Sequence, residues 1–319
     1  MTRAQATCSP TQPAVAQPVV DVRDLHMRYD SHEVLRGVDF QVHQGEVVAL
    51  LGPNGAGKST TVEILEGFRA RSSGTVRVLD TDPVEGDELW RSRLGIVLQS
   101  WRDHGKWRVA ELLRHFAAFY TPYSTPAHPK PWDVDELLTL VGLDGLEQQR
   151  ISSLSGGQRR RLDIAVGVLG RPEVLFLDEP TVGFDPEARQ EFHELVRTLA
   201  GAGNTILLTT HDLQEAQKLA DRVLILVGGR IVAQGTVDEL ARRIGTDAEV
   251  GWTADGTVHR HRTQDVTGFV RRLFQENGED VHDLDIRRGG LEEVYLTTVR
   301  EAEAGRSDQA ARLFEGAAR

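Results

Sequence analysis

The stretch GPNGAGKST, Gly52 to Thr60, has the spacing G-x-x-x-x-G-K-[ST], with Gly52, Gly57, Lys58 and Ser59 in its fixed positions. Such a loop is suited to phosphate. Gly55 and Gly57 let the backbone curl until its N–H groups converge on one anion. A lysine is a compact point charge that reaches the β- and γ-phosphates of a nucleoside triphosphate, and the hydroxyl of Ser59 takes a position on Mg²⁺. Further along, VLFLDEP ends an apolar run on Asp178 and Glu179. Open α/β sheets bind ligands at the C-terminal ends of their strands, where these carboxylates would emerge. Asp178 is expected to hold Mg²⁺ through water. Glu179 is expected to polarise the attacking water, since phosphoryl transfer needs an oriented nucleophile more than covalent chemistry.

A second anion-binding turn is visible in LSGGQRRRLDIAVGV, from Leu154. Ser155, Gly156 and Gly157 precede a helix whose unpaired amides and dipole favour phosphate. One chain thus carries two phosphate turns and one set of catalytic groups. The basic run Arg159 to Arg161 suggests nucleic acid only weakly; on this helix it is expected to spread around the surface of an acidic chain.

These residues need elements to hold them. EVVALL before the first loop and TTVEILEGF after it supply the strand and the helix that the motif requires. Short β-rich runs begin at Val19: PVVDVRDLHMRY, VLRGVDFQVHQGEVVALL and GTVRVLDTDP. Helical periodicity dominates about residues 101–169, as in VAELLRHFAAFY and VDELLTLVGL, interrupted by the proline-rich TPYSTPAHPKP. The apolar runs VLFLDE, TILLTTH and RVLILVGGR then alternate with helical stretches, which predicts parallel strands joined by crossover helices. After Gly235 come a helix (TVDELARRIG), a hairpin turning at Asp255-Gly256, a helix ending at Gly278, a strand (VHDLDIRRGG) and a last helix, LEEVYLTTVREAEAG.

Composition narrows the class. The chain has 319 residues, a formal net charge of −11 and one cysteine, Cys8. The charge argues against nucleic acid as the main partner, and a single cysteine fits a reducing compartment. Neither a signal peptide nor an apolar run approaching the ~20 residues of a membrane span is read. His259, His261 and His282 make a conceivable metal set, but an exposed hairpin with scattered histidines is the expectation, for want of cysteine or ordered carboxylate ligands.

GPNGAGKST, LSGGQ and VLFLDEPTVGFDP, in that order, resemble the nucleotide-binding subunit of ABC transporters over Val19 to about Leu240. The resemblance implies ATP and Mg²⁺ as cofactors, and ATP hydrolysis. The implied fold is an α/β P-loop NTPase of ABC type. It has a mixed, mainly parallel sheet core, an antiparallel β subdomain, a helical signature subdomain and a small C-terminal α+β appendage. The implied domains are a leader (1–18), the ATPase (19–240, helical subdomain about 101–169), the appendage (241–303) and a tail (304–319). It further implies that Tyr29 stacks on adenine, that Gln99 senses Mg²⁺ and water, that Asp185 lies in the loop crossing between subunits, and that His211 contacts the γ-phosphate. Asn54, Thr60 and Gln158 join the nucleotide-binding set. The second phosphate turn then serves a neighbour: two subunits, a homodimer or a paired ABC subunit, meet head to tail across two ATPs.

LSGGQRRRLDIAVGVLGRPEVLFLDEPTVGFDPEAR is similar to the ATPases of bacterial ABC-2-type exporters, including the daunorubicin-resistance type. That implies a separate polytopic permease and a place on the cytoplasmic face of the membrane. It also implies export of a small molecule or lipid-like substrate, with drug or antibiotic export favoured. QSWRDHGKWRVAELL, with Trp101 and Trp107, departs from the plain hydrophobic loop of the family where the membrane partner docks. The rival reading is a soluble ABC ATPase acting on ribosomes or nucleic acid. Such relatives carry two ATPase units or a long coiled-coil insert, and this chain reads as one unit without heptads or a basic linker.

Overall fold

The computed structural model describes residues 17–98, 104–243, 248–254, 256–263 and 265–287, together with 295 and 299. In chain order the elements are β1 (Pro18–Tyr29), β2 (His32–His43), β3 (Val47–Leu51), α1 (Lys58–Leu65), β4 (Ser73–Val78), α2 (Glu88–Arg91) and β5 (Leu94–Val97). Next come α3 (Val109–Tyr120), α4 (Val134–Leu140), α5 (Gly156–Val168), β6 (Val174–Asp178), α6 (Pro186–Gly201), β7 (Thr205–Thr210), α7 (Leu213–Leu219), β8 (Arg222–Val227) and β9 (Arg230–Gly235). The chain continues with α8 (Val237–Arg243), β10 (Ala248–Ala254), β11 (Thr257–Thr263), α9 (Val266–Asn277) and β12 (His282–Arg287).

Six strands form the central sheet in the order β5-β6-β7-β3-β8-β9, parallel except for β9. Its inner strands are continuous apolar runs because both faces are covered. Successive side chains point to opposite faces of a strand. Val47, Ala49 and Leu51 therefore join one core with Leu175, Leu177, Ile206 and Leu208, under residues of α3 to α7. Val48 and Leu50 join a second core with Phe176, Leu207, Leu224 and Leu226, which α1 and the antiparallel sheet β2-β1-β4 close. The amide of Arg36 donates to Gly229 O at 2.8 Å and fastens β2 to the β8–β9 turn.

The expected strands and crossovers are present, with local differences. β1 starts at Pro18, inside the segment read as leader. VLRGVDFQVHQGEVVALL divides into β2 and β3, which belong to different sheets. β4 stops at Val78, since Leu79 and Asp80 take φ of +51° and +62°. α8 crosses residue 240 and buries Leu240 in the main core. β11-β10-β12 form a third, antiparallel sheet; Ala254 pairs with Thr257, and Asp255 lies outside the described residues. His259 and His261 share a face there, stacked on Trp252 at 5.3 Å and on Phe269 at 4.2 Å. Among the described residues no helix is long and apolar enough to cross a membrane.

Candidate functional site

The loop between β3 and α1 is the base of the site. Gly55 and Gly57 have φ of +79° and +106°, where side chains other than hydrogen are strained. A Cβ on Gly57 would stand 2.6 Å from Leu35 Cδ2, and one on Gly52 would stand 2.3 Å from Leu226 O. Lys58 is buried; its Nζ donates to Gly52 O at 2.9 Å and to Pro53 O at 3.2 Å. Asn54, Gly55 and Ser59 are exposed and Thr60 is half-buried, so the mouth of the loop faces solvent.

The end of β6 stands opposite. Register pairs Asp178 with Thr209 of β7. The Thr209 hydroxyl donates to Asp178 Oδ1 at 2.5 Å and accepts the Glu179 amide at 2.9 Å. Ser59 Oγ donates to the same carboxylate oxygen at 3.3 Å. Glu179 takes φ +41°, a strained region for a side-chain-bearing residue. Its Oε1 lies 3.2 Å from Lys58 Nζ, and its Oε2 lies 3.6 Å from Nδ1 of His211, which is half exposed. Behind it, a cavity of about 140 Å³ is lined by Thr210, His211, Asp212 and Glu215, among others. Burial pushes the Glu215 carboxyl above its ordinary range, against hydrogen bonds from Thr210 and Thr181 that pull it down.

Ser155 to Gln158 lie elsewhere, on a groove of about 690 Å³ shared with Asp185. Ser155 caps α5: its Oγ accepts the Gln158 amide at 3.2 Å, and Gln158 Oε1 accepts the Ser155 amide at 3.0 Å, a reciprocal pair. Asp185 caps α6 by accepting the Ala188 amide at 2.8 Å. Val182 and Gly183 wall both this groove and the cavity behind Glu179. Tyr29 is 37% exposed, with the Arg69 guanidinium over its ring at 5.1 Å. Gln99 and Trp101 lie outside the described residues.

The chain is 36% identical to the daunorubicin resistance ATP-binding protein DrrA3 of Streptomyces coeruleorubidus, over 88% of its own length and 96% of that relative's. It belongs to the ABC transporter ATP-binding family. The family described as ABC transporter matches residues 35–182, from β2 through the segment after β6. A Nod factor export ATP-binding protein I of Ralstonia nicotianae is 38% identical over 72% of this chain and 71% of its own length. A solved ATP-binding subunit of an ABC transporter superposes with a TM-score of 0.61 at 29% identity, covering 71% of this chain and 93% of that one. The activity is ATP hydrolysis coupled to transport.

Three residues of this ABC ATPase escaped the sequence reading. Thr209 sits in the run TILLTTH, which reads only as a buried strand. Arg69 follows α1 and pairs with Glu63 at 2.6 Å, so its place over Tyr29 comes from tertiary packing. The basic run is a correction. Arg159 pairs with Asp163 at 3.3 Å and Arg161 with Glu191, but Arg160 is only 6% exposed. It turns inward because the apolar stripe of α5 (Leu162, Ile164, Ala165, Val168) buries that face. Burial pushes the Arg160 guanidinium below its ordinary value, opposed by the nearby charges of Asp163, Asp178 and Glu215.

Proposed function

We propose that this chain is the ATPase subunit of an ABC-2-type exporter, working on the cytoplasmic face of the membrane beneath a separate polytopic permease. Two subunits close head to tail around two ATPs. The observation that carries this is the split between the sites. Lys58, Glu179 and His211 cluster at the P-loop, whereas the Ser155 turn lines a groove whose walls include none of them. A nucleotide on Lys58 therefore needs a signature turn from a second subunit. The relatives named for drug resistance and Nod factor export support a small organic or lipid-like substrate.

The oxygen donors at the P-loop fit Mg²⁺. Ser59 and Asp178 offer a hydroxyl and a carboxylate 3.3 Å apart, hard ligands that leave room for water and phosphate oxygens. When bound, the ion neutralises charge on the transferring phosphate. Lys58 binds the β- and γ-phosphates. Thr209 orients Asp178 and anchors the amide of Glu179. Glu179 orients the attacking water, and His211, alongside its carboxylate, meets the γ-phosphate. Tyr29 stacks on adenine. Gln99 is assigned its Mg²⁺ and water role by resemblance.

Glu179→Gln keeps the shape and removes the base. We expect hydrolysis to fall at least about 100-fold while ATP binding persists, so that ATP accumulates a dimer measurable by light scattering. A tagged Glu179→Gln protein, crosslinked with ATP in its native host, should copurify from membranes with a polytopic protein. A monomer under saturating ATP and Mg²⁺, with and without membranes, would count against the split site. Recovery of ribosomes or nucleic acid instead of a membrane protein would overturn the exporter reading.

A further inference from the structure

Arg160 belongs to α5, five residues after the capping Ser155, yet its bonds leave the helix. Nε donates to Pro180 O at 2.9 Å and Nη1 donates to Leu98 O at 2.5 Å. Asp163 Oδ2 lies 3.8 Å from Nη1, and the buried Nη2 has no hydrogen-bond partner. Pro180 directly follows Glu179, and Leu98 directly precedes Gln99. One planar fork thus joins the backbone next to Glu179 to Leu98, the residue that follows β5. Stability does not call for such a residue. A buried cation costs desolvation that an apolar side chain of similar volume avoids. Asp163 has a second partner in Arg159. A guanidinium presents its donors in a rigid planar fork, here divided between Pro180 O and Leu98 O on two separate segments.

About one turn earlier, at the N-terminus of the same helix, Ser155 to Gln158 line the groove, which Arg160 also borders. A helix moves as a rigid body, and shifts of about 1–2 Å are ordinary in switching proteins. We infer that Arg160 is a positioning residue coupling the two ATP sites, through which closure of this chain's signature turn on the partner's nucleotide sets the backbone bearing Glu179. The inference rests on the head-to-tail dimer proposed above. Arg160 acts through the backbone carbonyls that it holds. It makes the geometry of one site depend on occupancy of the other, which is a coupling between two distinct sites.

The test uses full-length Arg160→Met and Arg160→Lys. Four quantities are measured: affinity for a fluorescent ATP analogue, the ATP dependence of hydrolysis, the thermal midpoint, and ATP-driven dimerisation in the Glu179→Gln background. We expect Arg160→Met to keep affinity within about twofold and to keep the Glu179→Gln dimer. Its kcat should fall roughly 10- to 100-fold, the scale of an ångström misplacement, and its Hill coefficient should drop from above one toward one. Arg160→Lys should recover part of kcat, since an ammonium keeps the charge but lacks the planar fork that divides its donors between two separate segments. The inference is overturned if Arg160→Met keeps both kcat and Hill coefficient, or if the wild type shows no cooperativity. It is also overturned if affinity, thermal midpoint and kcat fall together in both variants, the pattern of a merely structural residue. Failure of Glu179→Gln itself to dimerise, with Arg160 intact, brings down the dimer reading and this inference with it, and is told apart by that single variant.

Discussion

Glu66 closes α1 with only 4% of its surface exposed. Burial, aided by the negative charges of Asp178 and Glu63, pushes its pKa up to about 8. The unfolded chain loses this proton near the ordinary carboxyl value of 4.5, and the folded chain keeps it up to about 8. The native state binds more protons throughout that window, so this residue makes stability fall as pH rises through it, with a slope approaching about 1.4 kcal/mol per pH unit. Glu66→Gln should remove the effect. In protein free of nucleotide and magnesium, its urea midpoint should match the wild type near pH 4.5 and exceed it near pH 8.5. Equal midpoints at both values would mean that Glu66 is solvated. Nothing in LEGF announces this behaviour. A glutamate at a helix end reads as a solvated cap until the sheet lying over it is known.

At the scale of elements, the P-loop was legible because a contiguous motif encodes it, and its glycines serve an identifiable purpose. Gly57 gives α1 its left-handed start at φ +106° and leaves room for Leu35 of β2. Gly57→Ala would add left-handed strain of about 1–2 kcal/mol and a steric conflict. It should weaken ATP binding at least tenfold, roughly 1.4 kcal/mol, measured by calorimetric titration. Wild-type affinity would show that the loop adapts without it. The strands were equally legible, because parallel strands covered on both faces leave unbroken apolar runs. What did not show was pairing between distant strands. The partnership of Asp178 with Thr209 depends on the register of β6 against β7, and the inward turn of Arg160 depends on which side of α5 meets the sheet. A basic triplet after a signature motif looks like surface until that packing is known.

At the scale of the whole molecule, the cavity behind Glu179 and the signature groove share only Val182 and Gly183 among their lining residues. Placed in genetic terms, this predicts that two dead alleles rescue one another. Lys58→Ala loses its own nucleotide, and Ser155→Arg blocks its neighbour's. When the two proteins are mixed in equal amounts, half of the dimers pair one of each, and each such dimer holds one wholly intact site. Independent sites would then restore roughly a quarter of wild-type hydrolysis, by the arithmetic of a two-fold assembly. We expect recovery above either parent yet short of that quarter. The intact site sits beside Arg160 on a chain whose own signature turn closes on nothing. A full quarter would make the sites independent, and no recovery above the parents would leave the split site without support. A single harmful allele in a mixed population should accordingly depress its healthy partners, so that dominance, and not only loss, becomes the phenotype to look for.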